Sequence, residues 1–500
     1  MPAEEKCRIC SKKAKRVCPG TGGVICTSCC GSGRNSAIKC PPSCTHSPLS
    51  IAGYDLWLRI DAGLAMKILK YLAANYDRKK FDQVVKAMSL KDGRDEGSYE
   101  NAVGLAAYRV FFVDRSAGGV TLADKWEGEG WPGLNNDEKV LMGYLRKGRT
   151  TVIEVQKVLD YQTMSCIDLL EPEKGSFVLL DRMTAARTSR FSRYLVWLSH
   201  YPYFSRTGIV GMEIPDSVYE EFMEDIRESI KEETLIDENF KIKDYLSIHF
   251  SGYYQFVEDL AREKRKAMLE RMDLHQCVGY YEISGSPGEV EALLGKYPEF
   301  VWQDREPEEG DPDDASYYSW QRVGQSKAIE KKMNPSFRHD DESLGVGVLG
   351  NLTLYGNILK VEAFTRQKYE FAKKMIKKYF GPLLIFKREQ VTDLAKQVAE
   401  RPADDGGQRT SVPSSAIPPE LERQVLESYM NGMYKKFIDQ KLPMIDNMTP
   451  RQAAKEPKMR SKLLELMKIH IKGLEQQKRK KGTNISIGWL LDELGLQELK

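Results

Sequence analysis

The chain has 500 residues, of which 41% are hydrophobic and 29% charged, and 75 lysines and arginines against 72 aspartates and glutamates give a formal net charge of +3. A charge this small excludes a strong electrostatic field around the molecule as a whole. The length predicts about three domains, on a prior of ~150 residues each, with ample core. No apolar run reaches about 18 residues, so no membrane-spanning helix is expected.

Cysteine is concentrated at the start of the chain. Eight of the ten cysteines fall in the first 44 residues: Cys7, Cys10, Cys18, Cys26, Cys29, Cys30, Cys40 and Cys44. Two thiolates separated by two residues on a tight turn can bind one ion, and four thiolates complete a structural zinc site with no open position. The spacing therefore predicts a zinc-binding module over residues 1–50 that holds one or two structural ions.

The ligand pairing has more than one solution. An interleaved arrangement gives one ion to Cys7, Cys10, Cys26 and Cys29, and the other to Cys18, Cys30, Cys40 and Cys44. His46 could replace one thiolate, or it is an exposed loop histidine. A disulfide framework would need an oxidising compartment. The first residues lack the apolar segment of a signal peptide, so we expect zinc in a cytoplasmic protein.

Helices are predicted after this module, over residues 51–148. Apolar residues recur three or four positions apart over 51–72, which indicates an amphipathic helix. Further helix is predicted over 77–110, with a break at 91–94 where a glycine stands among charged residues.

Residues 149–275 change character to short apolar segments rich in β-branched and aromatic residues. The predicted strands are 151–159, 164–170, 177–182, 194–200 and 209–214. Strands of this spacing, separated by glycine and proline, predict a small antiparallel barrel or sandwich, followed here by helices.

A third block, residues 276–400, is predicted to be an α+β module. Gly356 and Asn357 suit a hairpin turn between two apolar strands. Thr365 can cap a following helix that Gly381 ends, and residues 383–387 form the next strand, which completes a ββαβ unit.

Residues 401–419 are rich in glycine, proline and serine and are predicted to be a linker. Beyond them, 420–500 is predicted to be an all-helical domain, in which Thr449 is an N-cap and Pro450 takes the first helical position. The predicted fold class is thus multidomain α+β: a zinc module, a helical segment, a β barrel or sandwich, a ββαβ module and a C-terminal all-α domain.

Two basic regions are candidates for nucleic-acid contact. The first 50 residues hold eight lysines and arginines against two glutamates, although zinc-bound thiolates would reduce that positive charge. Arginines beside aromatic residues suit stacking on bases and phosphate contacts. The arginines in question are Arg182, Arg187, Arg190, Arg193 and Arg206. The alternative is a basic outer face of the barrel.

Three stretches resemble a poorly characterised bacterial multidomain zinc-finger group: the cysteine-rich start, residues 344–388 and the segment 443–454 around Thr449-Pro450-Arg451. The cysteines also resemble SEC-C and HIT-type zinc motifs. The spacing departs from SEC-C, and residue 21 is threonine where HIT-type fingers have a cysteine. The 449–454 segment is similar to the partner-binding domain of some antitoxins. The resemblance implies zinc binding and a protein partner for 420–500.

No P-loop, His-Glu-x-x-His motif or other catalytic set occurs, so no catalytic residue is proposed and a non-enzymatic role is favoured. The leading hypothesis is a non-catalytic zinc-finger protein that binds RNA, DNA or a ribonucleoprotein, with a protein partner at 420–500. One alternative is a pure protein-interaction adaptor, antitoxin-like or translocase-associated. Another is a hydrolase centred on the middle of the chain.

Overall fold

The structure is a computed structural model that describes residues 6–88, 96–238, 240–271, 275–304, 312, 314–321, 323, 348–393 and 419–500. The chain divides into two compact units, one formed by Met1–Ala261 with Tyr434–Lys500 and the other by Arg262–Met433. It mixes helix and sheet, as the sequence predicts. None of the helices in the described ranges has both the length and the apolar composition needed to cross a bilayer.

The N-terminal module is small. Its strands β1 (Arg16–Cys18) and β2 (Gly23–Ile25) pair antiparallel, with Val17 opposite Val24. Gly22 takes a positive φ of 64° in the turn between them, which glycine adopts without strain. Helix α1 (Thr27–Gly33) follows and is capped by the Cys26 side chain. Apart from cysteines, the buried apolar residues of this module are few, so it has little hydrophobic core of its own.

Five helices follow the module. They are α2 (Tyr54–Asn75), α3 (Arg78–Met88), α4 (Glu96–Phe112), α5 (Leu122–Gly128) and α6 (Asn136–Leu145). The predicted stripe of α2 is confirmed, since Trp57, Leu64, Ile68 and Leu72 are buried. Capping boxes at Thr121 and Asn135 begin α5 and α6. The predicted break at 91–94 lies outside the described residues.

The predicted barrel is confirmed. Its strands are β3 (Arg149–Val158), β4 (Thr163–Asp168), β5 (Ser176–Leu180), β6 (Arg193–His200) and β7 (Ser205–Ile214). They close in the order β3-β4-β5-β7-β6. The β5–β7 pair is parallel, so the expectation of a purely antiparallel barrel is corrected.

The third predicted strand, 177–182, extends too far. β5 ends at Leu180 because the Asp181 side chain accepts a hydrogen bond from the backbone N–H of Thr184 and begins the short helix α7 (Arg182–Arg187). After the barrel come α8 (Tyr219–Ile236), α9 (Ile242–Ile248) and α10 (Phe250–Arg271). Leu195 of β6 packs with Phe222 of α8 and Phe250 of α10 in one core cluster.

The second unit is built on a six-stranded antiparallel sheet. Its elements are β8 (His275–Ile283), α11 (Pro287–Lys296), β9 (Phe300–Gln303), β10 (Ser316–Gln321), β11 (Val348–Tyr355), β12 (Ile358–Ala363), α12 (Arg366–Phe380) and β13 (Leu384–Asp393). The order is β13-β8-β12-β11-β10-β9. The predicted hairpin, helix and strand are present, but β13 pairs with β8 and not with β12. The ββαβ unit is therefore part of a larger sheet.

The last helices are α13 (Pro419–Phe437), α14 (Pro450–Ala453), α15 (Arg460–Lys481) and α16 (Gly488–Glu493). Thr449 caps α14 in a capping box with Gln452, and Pro450 takes its first position, as predicted. The sequence predicts 420–500 as a separate domain, whereas Tyr434–Lys500 shares a compact unit with Met1–Ala261. The predicted linker lies outside the described residues except for Pro419.

Candidate metal centre

Four of the predicted ligands converge at one point of the N-terminal module. Cys7 and Cys10 lie on the turn before β1, where Ser11 takes a positive φ of 57° and donates its backbone N–H to the Cys7 carbonyl oxygen at 2.8 Å. Cys26 and Cys29 lie at the start of α1. The four Sγ atoms are all within 4.8 Å of one another. This is the first quartet of the interleaved arrangement.

The sulfur geometry suits a tetrahedral ion. The Sγ atoms of Cys10 and Cys26 are 3.7 Å apart. A tetrahedron with metal–sulfur bonds of about 2.3 Å has sulfur–sulfur edges of about 3.8 Å, whereas a disulfide bond is about 2.05 Å long. All ten cysteines are free thiols. The cluster could therefore hold a metal ion, and the donor set fits zinc.

Backbone groups favour thiolates in this cluster. Hydrogen bonds from the N–H groups of Cys10 and Cys26 lower the pKa of the Cys7 thiol to about 6. The neighbouring sulfurs of Cys10 and Cys26 raise the pKa of Cys29 to about 12, because a second negative charge beside the first is unfavourable. A divalent cation would remove that repulsion, which is what a four-thiolate site needs.

The other four cysteines are buried beside this cluster without forming a second compact one. Cys18, Cys30, Cys40 and Cys44 belong to one buried group of side chains. Burial raises the pKa of the Cys40 thiol. Among the described residues, no three of these four bring their sulfurs within 4.8 Å of one another. The second ion stays a prediction, and His46, which is exposed, takes no part in the compact quartet.

Hydrogen bonds and an ion pair hold the module against the rest of the first unit, and the sequence did not indicate these contacts. The Arg34 guanidinium forms a two-point ion pair with the Asp137 carboxylate of α6, with Nε donating to Oδ1 at 2.7 Å. Asn136 donates to the Arg34 carbonyl oxygen at 3.0 Å. The Tyr203 hydroxyl, between β6 and β7, donates to the Cys40 carbonyl oxygen at 2.9 Å. These contacts fix the module against both the helices and the barrel.

The surface around the cluster is strongly basic. Residues 6–54 hold eight lysines and arginines and neither aspartate nor glutamate. Arg34 is used internally, and Arg8 donates to carbonyl oxygens of the β1–β2 turn while staying exposed. Lys12, Lys15 and Lys39 are exposed. Two apolar side chains lie on the same module, Ile9 at 55% exposure and Val17 at 74%.

Arg190 and Arg193 are bound within the protein. Arg193 is only 2% exposed. Its Nε donates to the Glu154 carboxylate at 2.8 Å, it also pairs with Glu465 of α15, and its guanidinium carbon lies 3.6 Å from the centre of the Tyr219 ring. The Arg190 guanidinium donates to the carbonyl oxygens of Gln156 and Leu499. A buried guanidinium such as that of Arg193 has no surface to offer a nucleic acid.

This ionic junction joins the barrel to α15. Lys468 lies 2.9 Å from the Glu154 carboxylate, and Lys472 lies 3.0 Å from that of Glu213. Sequence reasoning missed the junction, although one signal was present. Arg193 lies two and four residues before the buried Leu195 and Trp197, so its side chain is on the same face of β6 as theirs. A charged residue on a buried face indicates a buried partner of opposite charge.

The other three arginines lie at one end of the barrel. Arg206 pairs with Asp181 and lies over the Trp57 ring at 5.2 Å. Arg182 pairs with Asp55 at 2.8 Å and lies 5.9 Å from the centre of the Tyr161 ring.

Arg187, at the end of α7, is exposed, and the described part of the chain gives its side chain no ion pair. Nucleic-acid contact by these three arginines stays a prediction.

Comparison with known proteins adds no relative. No family model matches the chain, and no curated protein or solved structure shows significant similarity to it.

Proposed function

We propose that the protein is a nucleic-acid-binding protein whose N-terminal module is held by structural zinc. The observation that carries the proposal is the charge of that module: eight lysines and arginines against Glu4 and Glu5 over residues 1–50. A zinc ion with four thiolates contributes about −2 and Asp137 neutralises Arg34, so the module keeps a net charge of about +3. A basic patch of this kind attracts the phosphate backbone of nucleic acids.

The barrel supports the same proposal. Its strands follow the order 1-2-3-5-4, with the third and fifth parallel and a helix between the third and fourth, which is the topology of oligonucleotide- and oligosaccharide-binding barrels. In such barrels the loops between strands 1 and 2 and between strands 4 and 5 contact the ligand. Here those loops carry Tyr161, at 70% exposure, and Tyr203. Topology alone does not assign a function, but an exposed Tyr161 beside Arg182 suits stacking on bases.

The basic module and this end of the barrel are joined by the hydrogen bond from Tyr203 to Cys40. We propose that a single strand crosses both, with its phosphates on the lysines of the module and its bases against the aromatic residues of the barrel. Arg187, which is exposed at the end of α7, would contact the same strand. Comparing the affinities of the protein for single-stranded RNA and single-stranded DNA decides which of the two it binds.

The test is fluorescence polarisation with labelled mixed-sequence single-stranded RNA and DNA at several salt concentrations. The variant is Lys12→Glu, Lys15→Glu, Lys39→Glu. The matched control reverses three exposed cations of α15, Lys478→Glu, Arg479→Glu, Lys480→Glu.

The module variant is expected to bind at least about tenfold more weakly and to reduce the salt slope by roughly 2, because three phosphate contacts are lost. Affinity that is undetectable at low salt, or an equal loss in the control, contradicts the proposal.

A protein-interaction adaptor is the second candidate, and the exposed Ile9 and Val17 favour it. Exposed apolar side chains contribute to docking where they form part of a contiguous patch, and a partner of this module would cover both residues. A partner that co-purifies in fixed stoichiometry after nuclease treatment, and that is lost on Val17→Asp, supports this candidate over the first.

A further inference from the structure

A second positively charged feature lies at the start of β3, on residues that the proposed nucleic-acid surface does not use. A cavity of about 670 Å³ opens where the start of β3 meets the helical segment and the residues just before α9. Tyr161 and Arg182 lie beyond the opposite end of β3, whose ten residues extend about 33 Å at ~3.3 Å each. The cavity has a volume within the range of small-molecule sites.

The cavity is lined by six cations and three carboxylates. Each carboxylate is already paired with a lining cation. Asp124 pairs with Arg146, Glu171 with Lys243, and Asp244 with Arg149. Glu127 and Asp168, which do not line the cavity, strengthen two of these pairs.

Three cations are left over. Arg115, Lys147 and Lys241 are exposed, and they form no ion pair among the residues that the structure describes. Arg115 donates one N–H to the Gly119 carbonyl oxygen at 2.7 Å, which orients the guanidinium without neutralising it. The lining itself has three more cations than carboxylates, and Glu127 and Asp168 behind it reduce the local excess to one. The three unpaired cations are the ones that an anionic ligand would meet.

The remaining lining is apolar and partly aromatic. Its apolar members are Phe112, Leu170, Phe240 and Ile242. Phe240 is only half-buried and packs edge-on against Tyr245, with ring centres 5.6 Å apart. An exposed ring beside unpaired cations can stack on a planar group of the same ligand.

We propose that this cavity binds a nucleotide. Its phosphates would lie against Lys147, Lys241 and Arg115, and its base against Phe240. The site is independent of the proposed nucleic-acid surface, because it uses none of the residues of that surface.

The test is titration of the full-length protein with the fluorescent nucleotide mant-ATP, with unlabelled ATP, adenosine and pyrophosphate as competitors. The variant is Lys147→Glu, Lys241→Glu. The matched control is Lys157→Glu, Lys478→Glu, which reverses two exposed lysines elsewhere in the first unit.

We expect saturable binding that ATP displaces at much lower concentration than either adenosine or pyrophosphate, since the site uses both parts of the ligand. The cavity variant should bind at least about tenfold more weakly, and the control as tightly as the wild type. Phe240→Ala should weaken mant-ATP while leaving competition by pyrophosphate unchanged.

Three results would overturn the proposal: no saturable binding, equal loss in the control, or pyrophosphate competing as well as ATP. The Lys12→Glu, Lys15→Glu, Lys39→Glu variant separates the two proposals. It should keep mant-ATP binding, and a loss of that binding would place the nucleotide on the N-terminal module instead.

Discussion

The cysteine quartet and the Arg193 junction bring charged groups together in two different ways. The quartet draws all four sulfurs from residues 7–29, so neighbouring turns bring them together, and a bound ion would relieve their repulsion. The junction pairs residues that are 39, 272 and 314 positions apart, and its charges neutralise one another. A local motif can depend on a cofactor from solution, whereas a long-range one must contain both partners within the chain.

The largest effect is expected from breaking the quartet. Cys10→Ser, Cys29→Ser removes two ligands, and we expect loss of the metal and unfolding of residues 6–50, because the module has little apolar core to replace the ion. Metal analysis with limited proteolysis measures this. Cys277→Ala, in the second unit, is the control and should leave the metal content unchanged. A module that stays protease-resistant without metal would contradict the prediction.

Breaking the Arg193 junction should have a different consequence, since no ion from solution can replace a missing side chain. Arg193→Met leaves the buried Glu154 and the neighbouring Glu465 with Lys468 as their shared cation, and it is expected to cost about 3 kcal/mol of unfolding free energy in the first unit. Adding Glu154→Leu should recover part of that loss, because Glu465 keeps Lys468 at 3.1 Å. Chemical denaturation followed by hydrogen exchange in α15 tests both. If the double variant is the less stable, the buried charge is not the cause.

Asp61 adds a third case to the comparison, because it is a carboxylic acid that belongs neither to the cysteine quartet nor to the Arg193 junction. It lies in α2 and has no ion pair within the described ranges, and burial raises its pKa from 3.8 to about 6. A raised carboxyl pKa penalises the folded state as pH increases from about 4 to about 6, and the full penalty applies above that.

Asp61→Asn should therefore stabilise the protein by about 3 kcal/mol at pH 7 and by nothing near pH 3. Thermal unfolding across this pH range measures the effect, with Asp82→Asn on the exposed face of α3 as the control. A stabilisation that is constant with pH would rule out titration of Asp61 as its origin.

The smallest effect is expected at an ion pair that solvent reaches. Lys462 lies 2.7 Å from Asp446, and the two side chains are 50% and 56% exposed. Lys462→Met should change the unfolding free energy by up to about 1 kcal/mol, because water screens the pair and replaces it at little cost. A loss comparable with that of Arg193→Met would show that burial is not what separates the two kinds of pair.

The same contrast explains what the sequence could predict. The quartet, the α2 stripe, the Thr449 cap and the Gly356 turn are local patterns, in which spacing of a few residues determines the outcome. The barrel was predicted from its strand spacing, but its parallel closure was not, because Leu179 meets Ser205 only when the whole barrel forms.

The arginines show the limit of such predictions. The sequence pattern of an arginine beside aromatic residues is the same whether the arginine contacts a nucleic-acid base or a carboxylate inside the protein. The partners of Arg193 lie in β3 and α15, which periodicity cannot place beside β6. The cavity at the start of β3 was missed for a related reason: Arg115, Lys147 and Lys241 come from three separate segments, and no motif joins them.

The chain leaves the first unit after Ala261 and returns to it at Tyr434. Glu465 is therefore made 272 residues after Arg193. At about 5–20 residues per second, a ribosome needs roughly 14 to 54 s to cover that distance. Throughout that interval the newly made barrel exposes Arg193 and Glu154 to water without the helix that later covers them, so this face of the first unit can be completed only after α15 has been synthesised.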